Sequence, residues 1–185
     1  NCYDGQTLRL GEATIKFYNR QLSFVDDANF ANIAETTKIN LDSLIFQIVY
    51  KSNKFFFLGD SGTSSNNYVS DKYSAAVLKS DVIKVSHHGM SANNTAGIIS
   101  KVAAKVAINS SSSDFAIEAL TTSRLRAANS AVKIYETWNV INYVSSTDQS
   151  NTYIGLMVAA DGTNIKTYGV YNWGNTSCNK AEVVK

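Results

Sequence analysis

The sequence predicts an α/β fold, a mixed β-sheet with helices on its outside. Three observations carry this. Strand-like stretches open the 185-residue chain, strands and helices alternate through its middle, and strands close it. The stretch "YVSDKYSAAVLK" places Val69, Tyr73, Ala76 and Val77 at i, i+4, i+7 and i+8, on one helix face. The runs on either side of it, "FFFLGD" and "DVIKV", are short, apolar and rich in β-formers, as buried strands are. No internal repeat and no break in composition divides the chain, so residues 1–185 read as a single domain.

Taken in order, residues 6–18 alternate apolar and polar around a Gly-Glu turn, the pattern of a hairpin. Residues 19–39 show no clear period and are expected to be irregular. "SLIFQIVYKSNKFFFLGD" reads as two strands joined by the polar turn Lys51-Ser52-Asn53-Lys54. After the helix over 68–79 comes the strand "DVIKV", then a helix over 93–104 with an Asn at its N-cap. The strand "KVAIN" and the Ser110–Ser113 run lead to a helix within residues 113–130. "AVKIYETW" and "NVINYV" read as extended, and "YIGLMVAA" and "NIKTYGVY" pair about the turn Asp161-Gly162.

Composition sets outer limits. With 44% hydrophobic and 17% charged residues, the chain can build a core, which excludes a disordered segment. No apolar run approaches the roughly 20 residues that cross a bilayer, so no membrane segment is expected. The first residues lack the basic and apolar regions of a targeting segment, which is expected to be already absent. Net charge is +2 and the lysines are scattered along the sequence, so nucleic-acid binding is neither demanded nor excluded. Cys2 and Cys178 stand at opposite ends, and either a terminal bridge or two thiols fits that placement. Abundant Asn, Ser, Thr and Tyr, with sequons at Asn93, Asn109 and Asn175, give an expectation of an extracytoplasmic or secreted protein.

Both histidines of the chain stand side by side in "DVIKVSHHGMS". One apolar strand ends at Asp60 and the next at His87 and His88, with a helix between them. A strand–helix–strand crossover lays two strands side by side in the same direction. Both strand ends then open on one rim of the sheet, where α/β proteins place their sites. Carboxylate and imidazole together are ligand types for Zn²⁺ or Mn²⁺. Neighbouring side chains on an extended strand point to opposite faces, so one of the two histidines is expected to enter the site.

"NLDSLIFQIVYKSNKFFFLGD", "SDVIKVSHHGMSANN", "KVAAKVAINSSSSDF" and "AVKIYETWNVINYV" together resemble the second half of a metallo-β-lactamase-fold hydrolase. The branch they resemble is the hydrolase domain of the ComEC/Rec2 competence proteins and its secreted relatives, over roughly residues 6–170. The resemblance implies one half of an αββα sandwich, with Asp60 bridging metals and His87, then His88, as ligand of the pair. It implies Asp60 and His87 as catalytic residues, one or two Zn or Mn ions, and a phosphodiester of DNA as substrate. The main histidine motif of that family belongs to an N-terminal half not found in this chain, and Glu35–Asn40 holds no His where many relatives place one. The metal site is therefore expected to be partial or absent in this chain alone. Its partner is expected to be the N-terminal half of the same domain, or a second copy packed on the inner sheet face.

Two other functions compete. "GDSG" invites a serine hydrolase with Ser61 as nucleophile, but the order of Ser and His fits neither protease nor esterase patterns. A catalytically inactive scaffold or binding module also fits, with Tyr168, Tyr171 and Trp173 of the tail as a contact surface.

Overall fold

The computed structural model describes residues 2, 4–20, 23, 24, 26–142, 153–171 and 179–182. β1 (Thr7–Leu10) and β2 (Ala13–Phe17) form the opening hairpin. Next come a 3-10 turn, Ala28–Phe30, and the short helix α1 (Glu35–Leu41), so the stretch expected to be irregular carries a helix at its end. β3 (Phe46–Tyr50) and β4 (Asn53–Phe57) pair through Lys51-Ser52 alone, a turn two residues shorter than expected.

The helix expected over 68–79 is two: α2 (Thr63–Lys72) and α3 (Ala75–Leu78). α2 starts early because its first turn buries polar groups that are satisfied. Asn66, fully buried, accepts from the Ser61 hydroxyl at 2.9 Å and donates to the Asn93 carbonyl at 2.6 Å. Apolar periodicity cannot reveal such a turn. β5 (Val82–Lys84) follows, then α4 (Ala96–Val102), β6 (Val106–Asn109), α5 (Ala119–Ala128) and β7 (Lys133–Glu136). Residues 137–142 are 3-10 rather than extended, and the rest of "NVINYV" lies outside the described residues. β8 (Tyr153–Ala160) and β9 (Ile165–Tyr171) form the closing hairpin, which β10 (Asn179–Glu182) widens.

The α/β class is therefore realised as a seven-stranded sheet in the order β1-β2-β3-β4-β5-β6-β7, antiparallel as far as β4 and parallel from β4 to β7. Helices cover one face. Phe56, Leu58, Ile83, Val85 and Ala107 are buried there against Val69, Leu78, Ile98, Ile99, Val102 and Leu125. Each such Val, Leu, Ile or Phe side chain contributes about 1.5–3 kcal/mol of transfer free energy.

The other face was expected to need cover from outside, and over β4 to β7 it does not. Leu156, Val158 and Ile165 of β8 and β9 pack on Phe55, Val82, Val106, Ile108 and Tyr135, forming a third layer. That layer is narrower than the sheet beneath it. On the face shared with Phe55, the register places Leu8, Leu10, Ile15, Phe46 and Ile48, and there Leu8 is 54% and Leu10 69% exposed. Phe46 and Phe57 stack there, with ring centroids 4.7 Å apart. Among the described residues no helix is long and apolar enough to cross a membrane. Cys2 is exposed, and Cys178 lies outside the described residues, as do Trp173 and the Asn175 sequon.

The start of the chain is anchored by one carboxylate. Asp4 accepts from Lys72, from the Tyr73 hydroxyl and, at 3.1 Å, from the Tyr68 hydroxyl. Burial pushes the Asp4 carboxyl up, but these bonds together outweigh it and hold it below its ordinary 3.8. Asp4→Asn is expected to destabilise the protein by about 2 kcal/mol at neutral pH, read from urea unfolding. Because the folded carboxyl titrates below 3.8, its contribution is complete above that pH and fades as pH falls through the lowered folded value. The gap between the two proteins should therefore close only in acid. An unchanged midpoint at neutral pH would mean that Asp4 does not anchor the segment.

Candidate functional site at the end of two parallel strands

β4 and β5 pair in parallel, with Phe57 opposite Lys84, so the chain leaves both strands at one edge, as the crossover argument expects. Beyond β4, Gly59 turns with φ +56°. A Cβ at that position would sit 3.0 Å from Ser43 Cβ, so the turn both needs the left-handed region and leaves no room for a side chain. The Gly59 carbonyl then accepts twice: from Lys84 Nζ at 2.8 Å and from the His87 N–H at 3.2 Å. One carbonyl thereby ties the Asp60 turn to the histidine turn.

Asp60 holds its carboxylate at the rim, 40% exposed, with Lys84 Nζ 3.6 Å away. Lys84 is the charged residue inside an otherwise apolar strand. Burial lowers its ammonium below the usual lysine range, and Asp60 opposes that shift. A lone Lys in "DVIKV" was the signal for this residue, and periodicity alone passed over it.

The histidines do not stand on extended chain. His87 has φ 42°, His88 φ 52° and Gly89 φ 81°, three left-handed residues in succession. For the two histidines this costs roughly 1–2 kcal/mol each. Surrounding bonds fix the turn. Asn94, fully buried, accepts from the Ser86 N–H and donates to the Ser86 carbonyl, both at 2.9 Å. The Gly89 carbonyl accepts from the Thr121 hydroxyl at 2.8 Å, and Arg124 donates to the Ser91 and Asn94 carbonyls at 2.6 Å each. Asn93 and Asn94, expected at a helix N-cap, serve the histidine turn instead, and Thr95 stands at the N-cap of α4.

The turn gives the two rings different hydrogen-bond partners while keeping them an edge-on pair with centroids 5.8 Å apart, so strand alternation does not describe them. His87 lines an open cleft of about 210 Å³ with Thr37, Asn40, Leu41, Gly62 and Asn93. Thr37 and Asn40 belong to the segment in which the sequence shows no histidine. Asn93 Nδ2 lies 3.2 Å from the Ser61 carbonyl and 3.3 Å from His87 Nδ1. A carbonyl only accepts, so that nitrogen is the amide donor, and His87 Nδ1 accepts and leaves its proton on Nε2. His88 has the opposite tautomer. Its Nδ1 donates to the Ser110 carbonyl at 2.6 Å, leaving the Nε2 lone pair unused, and its ring lies 5.8 Å from Phe115.

This arrangement tests the metal expectation. A metal-bound imidazole gives its second N–H to a fixed acceptor. His88 has that pattern, and the Asp60 carboxylate is accessible. His87 with Nδ1 occupied does not fit as a ligand. Among the described residues no three His, Cys, Asp or Glu come together as a metal-holding group. Ser61 does not fit a nucleophile. It is fully buried, with its hydroxyl bonded to Asn66 and 3.2 Å from that of Ser86, and it meets no histidine ring. Asn109 of the second sequon is itself fully buried.

No protein-family model matches the sequence, and a comparison with curated proteins finds no match.

Gly89 is the residue on which the turn depends. A Cβ there would meet Ile117 at 2.8–3.0 Å, on top of the left-handed φ. Gly89→Ala is expected to destabilise the protein by about 3 kcal/mol in urea unfolding. A variant as stable as the parent would show that the turn is not held as described.

Proposed function

We propose that the rim at the ends of β4 and β5 is half of a metal-dependent hydrolytic site, to which this chain contributes Asp60 and His88 as ligands. The observation that supports this most is the strained His-His-Gly turn, tied to the Asp60 turn through one carbonyl and held by buried asparagines. Backbone strain held in place by a dense set of bonds is a mark of functional sites. The remaining donors come from polypeptide beyond the described residues, either an N-terminal half of the same domain or a second copy. A bound Zn²⁺ or Mn²⁺ would lower the pKa of a water to about 7 and polarise the scissile bond. His87, with its proton on Nε2, donates to a substrate oxygen in the adjoining cleft. The substrate class, a phosphodiester of DNA, rests on the resemblance to the competence hydrolases.

One observation favours a second function, a scaffold or binding module without chemistry. The Asp60 carboxylate already has a cation, Lys84, at 3.6 Å, and His87 has given its Nδ1 to Asn93. Metal binding separates the two. Calorimetric titration with Zn²⁺ and Mn²⁺, on this chain and on a form extended at its N-terminus, is expected to give saturable binding. That binding should fall about tenfold or more in Asp60→Asn and in His88→Gln, while His87→Gln leaves it nearly intact. Absence of binding in every form would leave the scaffold.

The exposed Leu8 and Leu10, on the part of the sheet face that β8 and β9 leave open, support docking of a second copy there. Sedimentation of the chain is expected to show reversible self-association, lost in Leu8→Lys/Leu10→Lys. A monomer at every concentration would exclude the second copy.

A further inference from the structure

We propose a second site, at the opposite edge of the sheet, that binds a phosphate group. Where β4, β5 and β6 begin, a cleft of about 300 Å³ is lined by Ser52, Lys54, Lys79, Ser80, Asp81 and Lys105. This volume is at the lower end of the range for small-ligand pockets. The three lysines are 25 or more residues apart in sequence and meet only in the fold.

Charge in the cleft is unbalanced. Asp81 is the carboxylate of the lining, and it is fully engaged. Its Oδ1 accepts from Lys105 Nζ at 2.8 Å and its Oδ2 from the Lys54 N–H at 3.0 Å. Burial raises the Asp81 carboxyl, and these bonds outweigh it, so it stays ionised and neutralises Lys105. Among the described residues, Lys54 and Lys79 have no carboxylate partner, and Lys54 is half-buried. Two ammonium groups without a carboxylate partner leave the cleft with net positive charge, which favours an anionic ligand.

The donor set fits phosphate. Lys54 and Lys79 supply two free ammonium groups, and the exposed Ser52 adds a hydroxyl. Ser80 does not, because its hydroxyl donates to the Leu78 carbonyl and accepts from Gln47. A phosphate group carries nearly two charges at neutral pH and spreads acceptor oxygens around its centre, which matches point-charge donors on flexible stems. Inorganic phosphate, a small phosphate ester or one phosphate of a nucleic-acid strand all present this chemistry.

The test is an NMR titration of the whole chain with inorganic phosphate, and separately with a short single-stranded oligonucleotide. Saturable shifts of the Ser52, Lys54, Ser80 and Lys105 amides are expected. The apparent affinity should fall about tenfold for each ammonium removed in Lys54→Gln and Lys79→Gln. Asp60→Asn, at the other edge, should leave the titration unchanged, so the outcome is independent of whether the hydrolytic site exists. Tighter binding of the oligonucleotide at the same amides would identify a nucleic-acid strand as the source, and binding of phosphate alone a small molecule. Shifts that never saturate, or that survive in the double variant with its spectrum otherwise intact, would overturn the site.

Discussion

The Gly59 carbonyl holds the site end of this protein together. It lies where β4 stops, and it accepts from the last residue of β5 and from the first residue of the histidine turn. A carbonyl has two lone pairs, so both bonds form without competition. Because Lys84 is drawn in from the buried face of the sheet, its positive end is fixed beside Asp60. The position of Asp60 is therefore set by backbone that Lys84 and His87 grip from the other side. Removing either partner would free a turn rather than a single side chain.

The histidine turn shows the balance between strain and support. Two non-glycine residues in the left-handed region oppose folding, and the bonds from Asn94, Thr121 and Arg124 offset that cost. Each neutral bond is worth about 1 kcal/mol net, and those from the Arg124 guanidinium more, so the set exceeds the strain. Two further bonds set the tautomers: His88 Nδ1–H donates to the Ser110 carbonyl, and His87 Nδ1 accepts from the Asn93 amide. Two identical residues, adjacent in sequence, are thus made chemically opposite: one presents a lone pair and the other a proton.

Much of this was legible in the sequence, and what was not has a physical cause. Apolar runs announced β3, β4, β5 and β6, and the helix between Asp60 and His87 announced their parallel pairing. Residues whose role is to satisfy polar groups left no periodic trace. Asn66 and Asn94 are fully buried, yet in sequence they look like surface or cap residues. The early start of α2 was hidden for the same reason. The β8–β9 hairpin was visible, but its docking on the inner face was not, because which face a hairpin covers depends on partners distant in sequence. Tautomers and left-handed torsions depend on such partners as well.

The topology also explains why charge that is scattered in sequence is gathered in space. In a run of parallel strands, every strand begins at one edge and ends at the other. The interiors of β5 and β6 are apolar, so their polar residues fall at the ends, as Lys84 and Asn109 do. The residues at strand starts, Lys54, Asp81, Lys105 and Lys133, then fall along one edge. Those at strand finishes, Asp60, His87, Asn109 and Glu136, fall along the other. A sequence with a net charge of only +2 thereby acquires a cationic edge and an edge of carboxylates, imidazoles and amides. The two edges differ in chemistry because each collects one end of every strand. A residue's function in this fold follows first from which end of its strand it occupies.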